Sequence, residues 1–86
     1  YEPVWAIGPG KTPPGKEYME MIGKYIKKVM GDVDVVYGGG LKKENAAMVS
    51  SVAELDGGLI ALTRFQGEIG FYPEEYLEII DKYMGE

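Results

Sequence analysis

The sequence predicts an α/β fold in which three parallel strands alternate with helices. Two patterns support this prediction: short β-branched or apolar runs that end at glycines, and longer segments whose apolar residues recur every three or four positions. The resulting order of strand, helix, strand, helix, strand, helix is typical of parallel strands joined by right-handed crossovers. The chain has 86 residues, of which 45% are hydrophobic, and this size suits one small globular domain.

The first strand and the first helix are separated by a loop rich in glycine and proline. The strand is predicted over residues 1–7, the loop over residues 8–15, and the helix from there to Gly31, a residue type that favours helix ends. Because the apolar residues of this helix are spaced by three and four, we expect them to face the core. These residues are Tyr18, Met21, Ile22, Tyr25, Ile26 and Val29.

Two more strand–helix pairs follow. The second strand is predicted over residues 33–37, where a β-branched run precedes three glycines, and a short helix is predicted over residues 43–52. The third strand is predicted within residues 55–62. A last amphipathic helix is predicted to begin at Pro73, since proline suits the first turn of a helix. Its expected apolar side carries Tyr76, Leu77, Ile80, Tyr83 and Met84.

The composition excludes several classes of function. The chain contains neither cysteine nor histidine, so thiol nucleophiles, disulfides and histidine acid–base catalysis are excluded, and no metal site is predicted. The net charge is -5 and no run of Lys or Arg exceeds two residues, which argues against a nucleic-acid partner. No apolar run approaches the ~20 residues of a membrane span and no signal peptide is visible, so we expect a cytoplasmic protein without a membrane partner.

The first twelve residues combine an acid, a rigid segment and a flexible tip. Glu2 is followed directly by a Pro-Val-Trp segment and then by a Gly-Pro-Gly tip, where glycine allows conformations that other residues resist. This segment resembles the catalytic glutamate and the mobile lid of triosephosphate isomerase. By this resemblance the lid consists of Pro3, Val4, Trp5, Ala6, Ile7, Gly8, Pro9, Gly10, Lys11 and Thr12.

Two later segments strengthen the resemblance because they follow in the family's order. Residues 35–46 are similar to the family's seventh strand and the loop after it, and residues 56–60 are similar to the entrance of its eighth strand. A complete (β/α)8 barrel has eight strands and roughly 250 residues. The resemblance therefore implies that residues 1–86 are a single C-terminal fragment of a TIM-barrel domain, and the predicted fold is a partial TIM barrel.

The resemblance also implies a chemistry. The parent activity would be the aldose–ketose isomerisation of glyceraldehyde 3-phosphate and dihydroxyacetone phosphate in central carbon metabolism, without a metal or an organic cofactor. Glu2 would be the catalytic base. The phosphate group of this small sugar phosphate would be bound through the backbone at Gly8, Gly40, Ala61 and Leu62.

Several positions depart from the family's pattern around the phosphate. Gly40 stands in place of a serine and lacks its hydroxyl, while Ala61 and Leu62 stand in place of a glycine pair. Arg64 follows closely, and two interpretations stay open for it: a charged fork that compensates for the lost contacts, or an exposed loop residue. These departures favour, as a second hypothesis, an isomerase of another short sugar phosphate.

A further departure lies at the lid hinge. In the family a tyrosine that matches Tyr37 bonds a backbone N–H at the C-terminal hinge of the closed lid. The corresponding hinge residue here is Pro13, which has no N–H. We therefore expect this latch to be absent.

The isolated chain is expected to be inactive. In the family a histidine and a lysine on early strands polarise the carbonyl, and this chain has no histidine. A hypothesis of another class is a non-catalytic βα module that self-assembles. Because a lone three-stranded parallel sheet leaves two edges and much apolar surface uncovered, we expect a homo-oligomer. Its buried core would include Val35, Leu59, Ile60 and Phe65.

Overall fold

The computed structural model describes residues 1–85, which contain three α-helices and two β-strands. In chain order the elements are a 3-10 helix at Val4–Ala6, α1 at Lys16–Met30, β1 at Val36–Gly38, α2 at Ala46–Ser50, β2 at Gly57–Leu59 and α3 at Pro73–Tyr83. The strands pair in parallel, with Val36 opposite Gly57 and Gly38 opposite Leu59. The predicted α/β class with parallel strands is confirmed, but the described residues form a sheet of two strands rather than three.

The prediction of a strand over residues 1–7 was wrong. Tyr1 alone lies along β1, where its amino group donates to the Val36 carbonyl at 2.6 Å and its carbonyl accepts from the Gly38 N–H at 2.8 Å. The ladder stops there because Pro3 has no N–H to donate. The Pro3 carbonyl instead accepts from the Ala6 N–H at 2.9 Å and closes the 3-10 helix.

Both observed strands are shorter than the predicted ranges of 33–37 and 55–62. The Val35 N–H donates to the Asp56 carboxylate at 2.8 Å, and the Asp56 N–H donates to the Val35 carbonyl at 2.7 Å. Just before the two strands, the Asp56 side chain thus takes the place of a backbone carbonyl as the acceptor for the Val35 N–H. At the other end Gly39 and Gly40, with φ of +128° and +72°, turn the chain away, so the pairing with β2 ends at Leu59.

Helix α1 ends at Met30, and Gly31 caps it as predicted, with φ of +86° and a hydrogen bond from its N–H to the Lys27 carbonyl. Its buried residues are Met19 and Gly23. The closest approach is at Gly23, where an added Cβ would lie 2.7 Å from the Glu54 Cβ. The helix therefore packs through its smallest residue, and the prediction of its core face was wrong for four residues that are exposed: Tyr18, Met21, Tyr25 and Val29.

The two later helices are both present, as predicted, but the start of α2 and the buried side of α3 differ from the prediction. Helix α2 begins at Ala46 rather than at residue 43, because the Asn45 side chain accepts from the Lys42 N–H at 2.9 Å and holds a turn ahead of it. Helix α3 begins at Pro73 as predicted and buries Ile79. Three residues expected on its apolar side are exposed: Tyr76, Leu77 and Met84.

The core is small and is built mainly from residues 35–55. Helix α1 contributes Met19 and α3 contributes Ile79. The remaining buried members are Val35, Tyr37, Leu41, Ala46, Val49, Val52 and Leu55. Within residues 1–85 no helix is both long and apolar enough to cross a bilayer.

Candidate active site

A cavity of about 150 Å³ lies where the carboxyl ends of β1 and β2 meet the first residues of the chain. This is the edge of a parallel sheet at which α/β proteins bind ligands. The cavity brings together all five residues assigned from the resemblance to the base and the phosphate contacts: Glu2, Gly8, Gly40, Ala61 and Leu62. Its other lining residues are Ile7, Gly38, Gly39, Leu41, Leu59, Ile60 and Phe65.

Glu2 is held at the cavity by its neighbour on each side. Tyr1 is bonded to β1 through both its amino group and its carbonyl, and Pro3 is buried. The Glu2 side chain itself is exposed and passes beside Gly38, where an added Cβ would lie 3.1 Å from the Glu2 Cγ. A carboxylate that is exposed at a cavity on a fixed backbone can accept a proton from a bound ligand.

The lid residues divide into an anchored part and an untethered part. Pro3 and Ala6 are buried, and the Trp5 ring meets the Tyr18 ring edge-on at a centroid distance of 5.5 Å. Beyond them, residues 7–14 make no backbone hydrogen bond to any other part of residues 1–85. Ile7 and Gly8 are the lid residues that line the cavity. The remaining ones are not among its lining residues: Pro3, Val4, Trp5, Ala6, Pro9, Gly10, Lys11 and Thr12.

Tyr37 is fully buried beneath the cavity, and its hydroxyl donates to the Gly39 carbonyl at 2.6 Å. Pro13 lies near Gly40, 3.5 Å from the position of an added Cβ there. The hydroxyl is thus engaged within its own loop rather than with the lid hinge.

Two tyrosines pack against each other near the start of the chain, and both hydroxyls stay protonated near neutral pH. The Tyr1 and Tyr37 rings meet edge-on at 5.9 Å. Burial raises the pKa of the Tyr1 hydroxyl to about 12. Burial, and to a smaller extent the nearby Tyr1, also raises the pKa of Tyr37 to about 12. Neither phenol is therefore tuned for proton transfer near pH 7.

Arg64 is exposed and does not line the Glu2 cavity, which favours the interpretation of an exposed loop residue. Its Nε and one terminal nitrogen donate to the Glu75 carboxylate at 3.1–3.2 Å, and its guanidinium stacks 3.8 Å from the centre of the Tyr72 ring. Hydrogen bonding to Glu75 raises the pKa of Arg64. Arg64 is thus bound to Glu75 and Tyr72 rather than placed at the cavity.

The walls of the cavity are more apolar than the motifs suggested. Leu59 and Phe65 line it, although sequence reasoning assigned them only to a buried core. Their position directly around Ala61 and Leu62 was the available signal. Glu2 is the one ionisable side chain among the lining residues. The cavity within residues 1–85 thus offers a general base and backbone groups, but no side chain that can polarise a carbonyl.

The parallel strands, the acid ahead of them and the glycine-rich turns at their carboxyl ends define an α/β protein with a cavity at the carboxyl edge of its sheet. Comparison with known sequences agrees. The sequence profile of the triosephosphate isomerase family matches residues 1–82. The chain therefore belongs to the triosephosphate isomerase family, as the resemblance of its motifs indicated.

Individual relatives give the same result. The chain is 44% identical over 68 residues to the triosephosphate isomerase of Flavobacterium psychrophilum, which covers 70% of this chain and 27% of the relative. It is 36% identical over 91 residues to that of Porphyromonas gingivalis, covering 96% of this chain and 34% of the relative. It is 37% identical over 86 residues to that of Marinobacter nauticus, covering 92% of this chain and 31% of the relative. The chain thus spans about a third of the length of these relatives.

Proposed function

We propose that this chain supplies the catalytic base and the lid of a triosephosphate isomerase, which interconverts glyceraldehyde 3-phosphate and dihydroxyacetone phosphate in the central carbon metabolism of the cytoplasm. The observation that carries the proposal is the single cavity lined by Glu2, Gly8, Gly40, Ala61 and Leu62. These positions lie up to sixty residues apart in the chain, and they meet at the carboxyl ends of parallel strands.

The proposed role of Glu2 is proton transfer between adjacent carbons. Its carboxylate takes a proton from the carbon that carries the hydroxyl group, and the electrons of that C–H bond form the carbon–carbon double bond of the enediol, while the carbonyl oxygen gains a proton from a donor outside this chain. The protonated carboxyl then returns a proton to the former carbonyl carbon, as the hydroxyl group of the first carbon loses its proton and becomes the new carbonyl. Closure of the lid would keep water from the intermediate.

A base alone does not complete this reaction. The developing charge on the carbonyl oxygen needs a cationic or hydrogen-bonding partner, and no lining side chain of the cavity supplies one. We therefore expect the isolated chain to show no isomerase turnover above that of its Glu2→Ala variant. Turnover that depended on Glu2 would show that the missing partner exists within the chain.

A chimeric enzyme tests the proposal directly. The part of the Porphyromonas gingivalis relative that lies outside its matched third is joined to this chain, so that the composite has the length of the relative. We expect the purified chimera to unfold cooperatively and to isomerise glyceraldehyde 3-phosphate. A folded chimera without isomerase activity on any short sugar phosphate would overturn the proposal.

A specific observation supports a second enzymatic candidate, the isomerisation of another short sugar phosphate. Ala61 and Leu62 place side chains where the family has a glycine pair, and Leu59 and Phe65 add apolar walls. The same chimera distinguishes the candidates when it is assayed with triose, tetrose and pentose phosphates. The second candidate requires a higher kcat/KM for one of the longer substrates.

The structure also supports self-association as a function of another class. Leu59 is 54% exposed, and Ile60 and Phe65 are half-buried, while Val35 is already buried within the chain. Burial of apolar surface between copies recovers about 25 cal/mol per Å².

We propose a homo-oligomer, which sedimentation velocity would detect as a mass above that of one chain. A Leu59→Asp variant should dissociate, whereas Met30→Asp, on an exposed helix end, should not. A cooperative monomer of the parent chain would contradict the proposal.

A further inference from the structure

Tyr18 occupies a position to which neither the resemblance nor the proposed reaction assigns a role. The spacing of apolar residues predicts it on the core face of α1, but it is 38% exposed. Its ring meets the Trp5 ring at a centroid distance of 5.5 Å and an interplanar angle of 80°, which is the edge-to-face geometry that aromatic pairs prefer. A side chain of helix α1 thus contacts the lid.

The 3-10 helix of the lid is held from two sides. On one side Ala6 is buried against the turn after β1, where an added Cβ at Gly39 would lie 3.3 Å from the Ala6 Cβ. On the other side Trp5 meets Tyr18. No backbone hydrogen bond joins residues 4–14 to α1. The ring contact therefore links this part of the lid to α1 where backbone bonding does not.

Tyr18 also lies near the residue on the other side of Glu2. Burial, and after it the Tyr18 phenol beside it, raises the pKa of the Tyr1 hydroxyl to about 12. Tyr1 is in turn bonded to β1 through its amino group and its carbonyl. One side chain of α1 thus lies next to both Tyr1, directly before the proposed base, and Trp5, three residues after it.

We propose that Tyr18 is a positioning residue for the lid, and that its ring holds Trp5 and thereby fixes where the lid begins relative to Glu2. The inference rests on the proposed function in taking residues 3–12 as a lid that closes over the base. Tyr18 does not line the Glu2 cavity, so its effect on the reaction passes through Trp5.

The lid carries its own spectroscopic probe, because Trp5 is the single tryptophan of the chain. In the uniformly ¹⁵N-labelled full chain, the Trp5 indole N–H gives one resonance. We expect Tyr18→Ala to move this resonance and to lower the order parameters of the amides of residues 4–8 from about 0.85, as in an ordered backbone, towards 0.6 or less. Tyr18→Phe keeps the ring and should retain the values of the parent chain.

Tyr25→Ala is the matched control, because Tyr25 is an exposed tyrosine about two turns further along α1. It should leave the indole resonance and the lid amides unchanged. Unchanged order parameters in Tyr18→Ala, or an equal loss in Tyr18→Ala and Tyr25→Ala, would overturn the inference. A Tyr18→Phe variant that behaves like Tyr18→Ala would contradict the role of the ring.

The chimeric isomerase separates this role from a merely structural one. We expect Tyr18→Ala to lower its kcat about threefold with a smaller change in KM, since a lid released from α1 closes productively less often. Tyr18→Phe should keep the parent kcat. A Tyr18→Ala chimera with the parent kcat would refute the positioning role. An inactive parent chimera would refute the proposed isomerase, while the order parameters of the full chain would still decide whether Tyr18 holds the lid.

Discussion

Gly38 of β1 leaves the space through which the side chain of Glu2 passes. A Cβ at position 38 would lie 3.1 Å from the Glu2 Cγ and 3.4 Å from the Leu59 Cβ. The side chain of Glu2, the proposed base, and that of Leu59, a wall of the cavity, therefore both lie next to Gly38. The position of the carboxylate depends on a neighbouring strand as much as on its own backbone.

Substitution of this glycine should move Glu2 at little cost in stability. In Gly38→Ala the Glu2 side chain must shift by a few tenths of an ångström, which an exposed side chain can do. Because alanine also restricts the unfolded chain, we expect the free energy of unfolding to change by less than about 1 kcal/mol. The carboxyl carbon resonance of Glu2 should move, and an unchanged resonance would contradict the contact.

Helix α1 should be sensitive to a single methyl group at Gly23. An added Cβ would lie 2.7 Å from the Glu54 Cβ, and neither atom can rotate away. We expect Gly23→Ala to destabilise the fold by about 1–2 kcal/mol, since overpacking outweighs the gain in helix propensity. Gly57→Ala is the matched control, because its Cβ would make an ordinary 3.7 Å contact with Val36. Chemical denaturation of both variants gives the comparison, and equal midpoints would refute the close approach.

The hydroxyl of Tyr37 should stabilise the turn above the core. Tyr37→Phe removes a 2.6 Å hydrogen bond to the Gly39 carbonyl from a fully buried side chain. The expected loss is about 1 kcal/mol in the free energy of unfolding. Tyr25→Phe, at a residue that is 64% exposed, should change it far less. A thermal melt in which the two variants coincide would contradict the bond.

Asp56 should make stability depend on acid pH. Its carboxylate accepts from the Val35 N–H and pairs with Lys27 at 2.9 Å, and these contacts lower its pKa from 3.8. A lowered folded-state pKa contributes stability that is present above the unfolded value and is lost as pH falls through the folded one. Asp56→Asn should therefore be less stable at neutral pH and should lose less stability below about pH 4.

Asp34→Asn is the control for this prediction, because Asp34 is exposed and makes no ion pair within residues 1–85. Thermal midpoints measured across the acid range should match those of the parent chain. Parallel pH profiles for Asp56→Asn and the parent would refute the role of Asp56.

The sequence predicted the positions of the helices better than it predicted which of their residues are buried. Periodic apolar residues located α1 and the glycine at its end, but the periodicity gives no weight to Gly23, which is the point of closest approach. The first strand failed for a local reason: Pro3 cannot donate to a ladder, so the pairing stops after Tyr1. The sequence shows Pro3 directly before the apolar run of residues 4–7, and this proline prevents those residues from continuing the strand.

The candidate site was more predictable because its residues follow ordered motifs at strand ends. Parallel strands bring their carboxyl ends together, so Glu2, Gly40 and Ala61 meet once the strands pair. The partner of Arg64 was not predictable in this way. Glu75 lies eleven residues further along, and the loop between them is closed by the pairing of Arg64 with Gly70. Such a side-chain pair depends on loop geometry that has no periodic signature.

The most direct test of the account is the role of Glu2 in the chimeric isomerase. We predict that Glu2→Gln, which keeps the size of the side chain and removes its basicity, lowers kcat by at least about a hundredfold and leaves KM nearly unchanged. Lys11→Gln, in the exposed lid away from the cavity, serves as the control and should retain most of the activity. A Glu2→Gln chimera that folds and turns over like its parent would show that Glu2 is not the base.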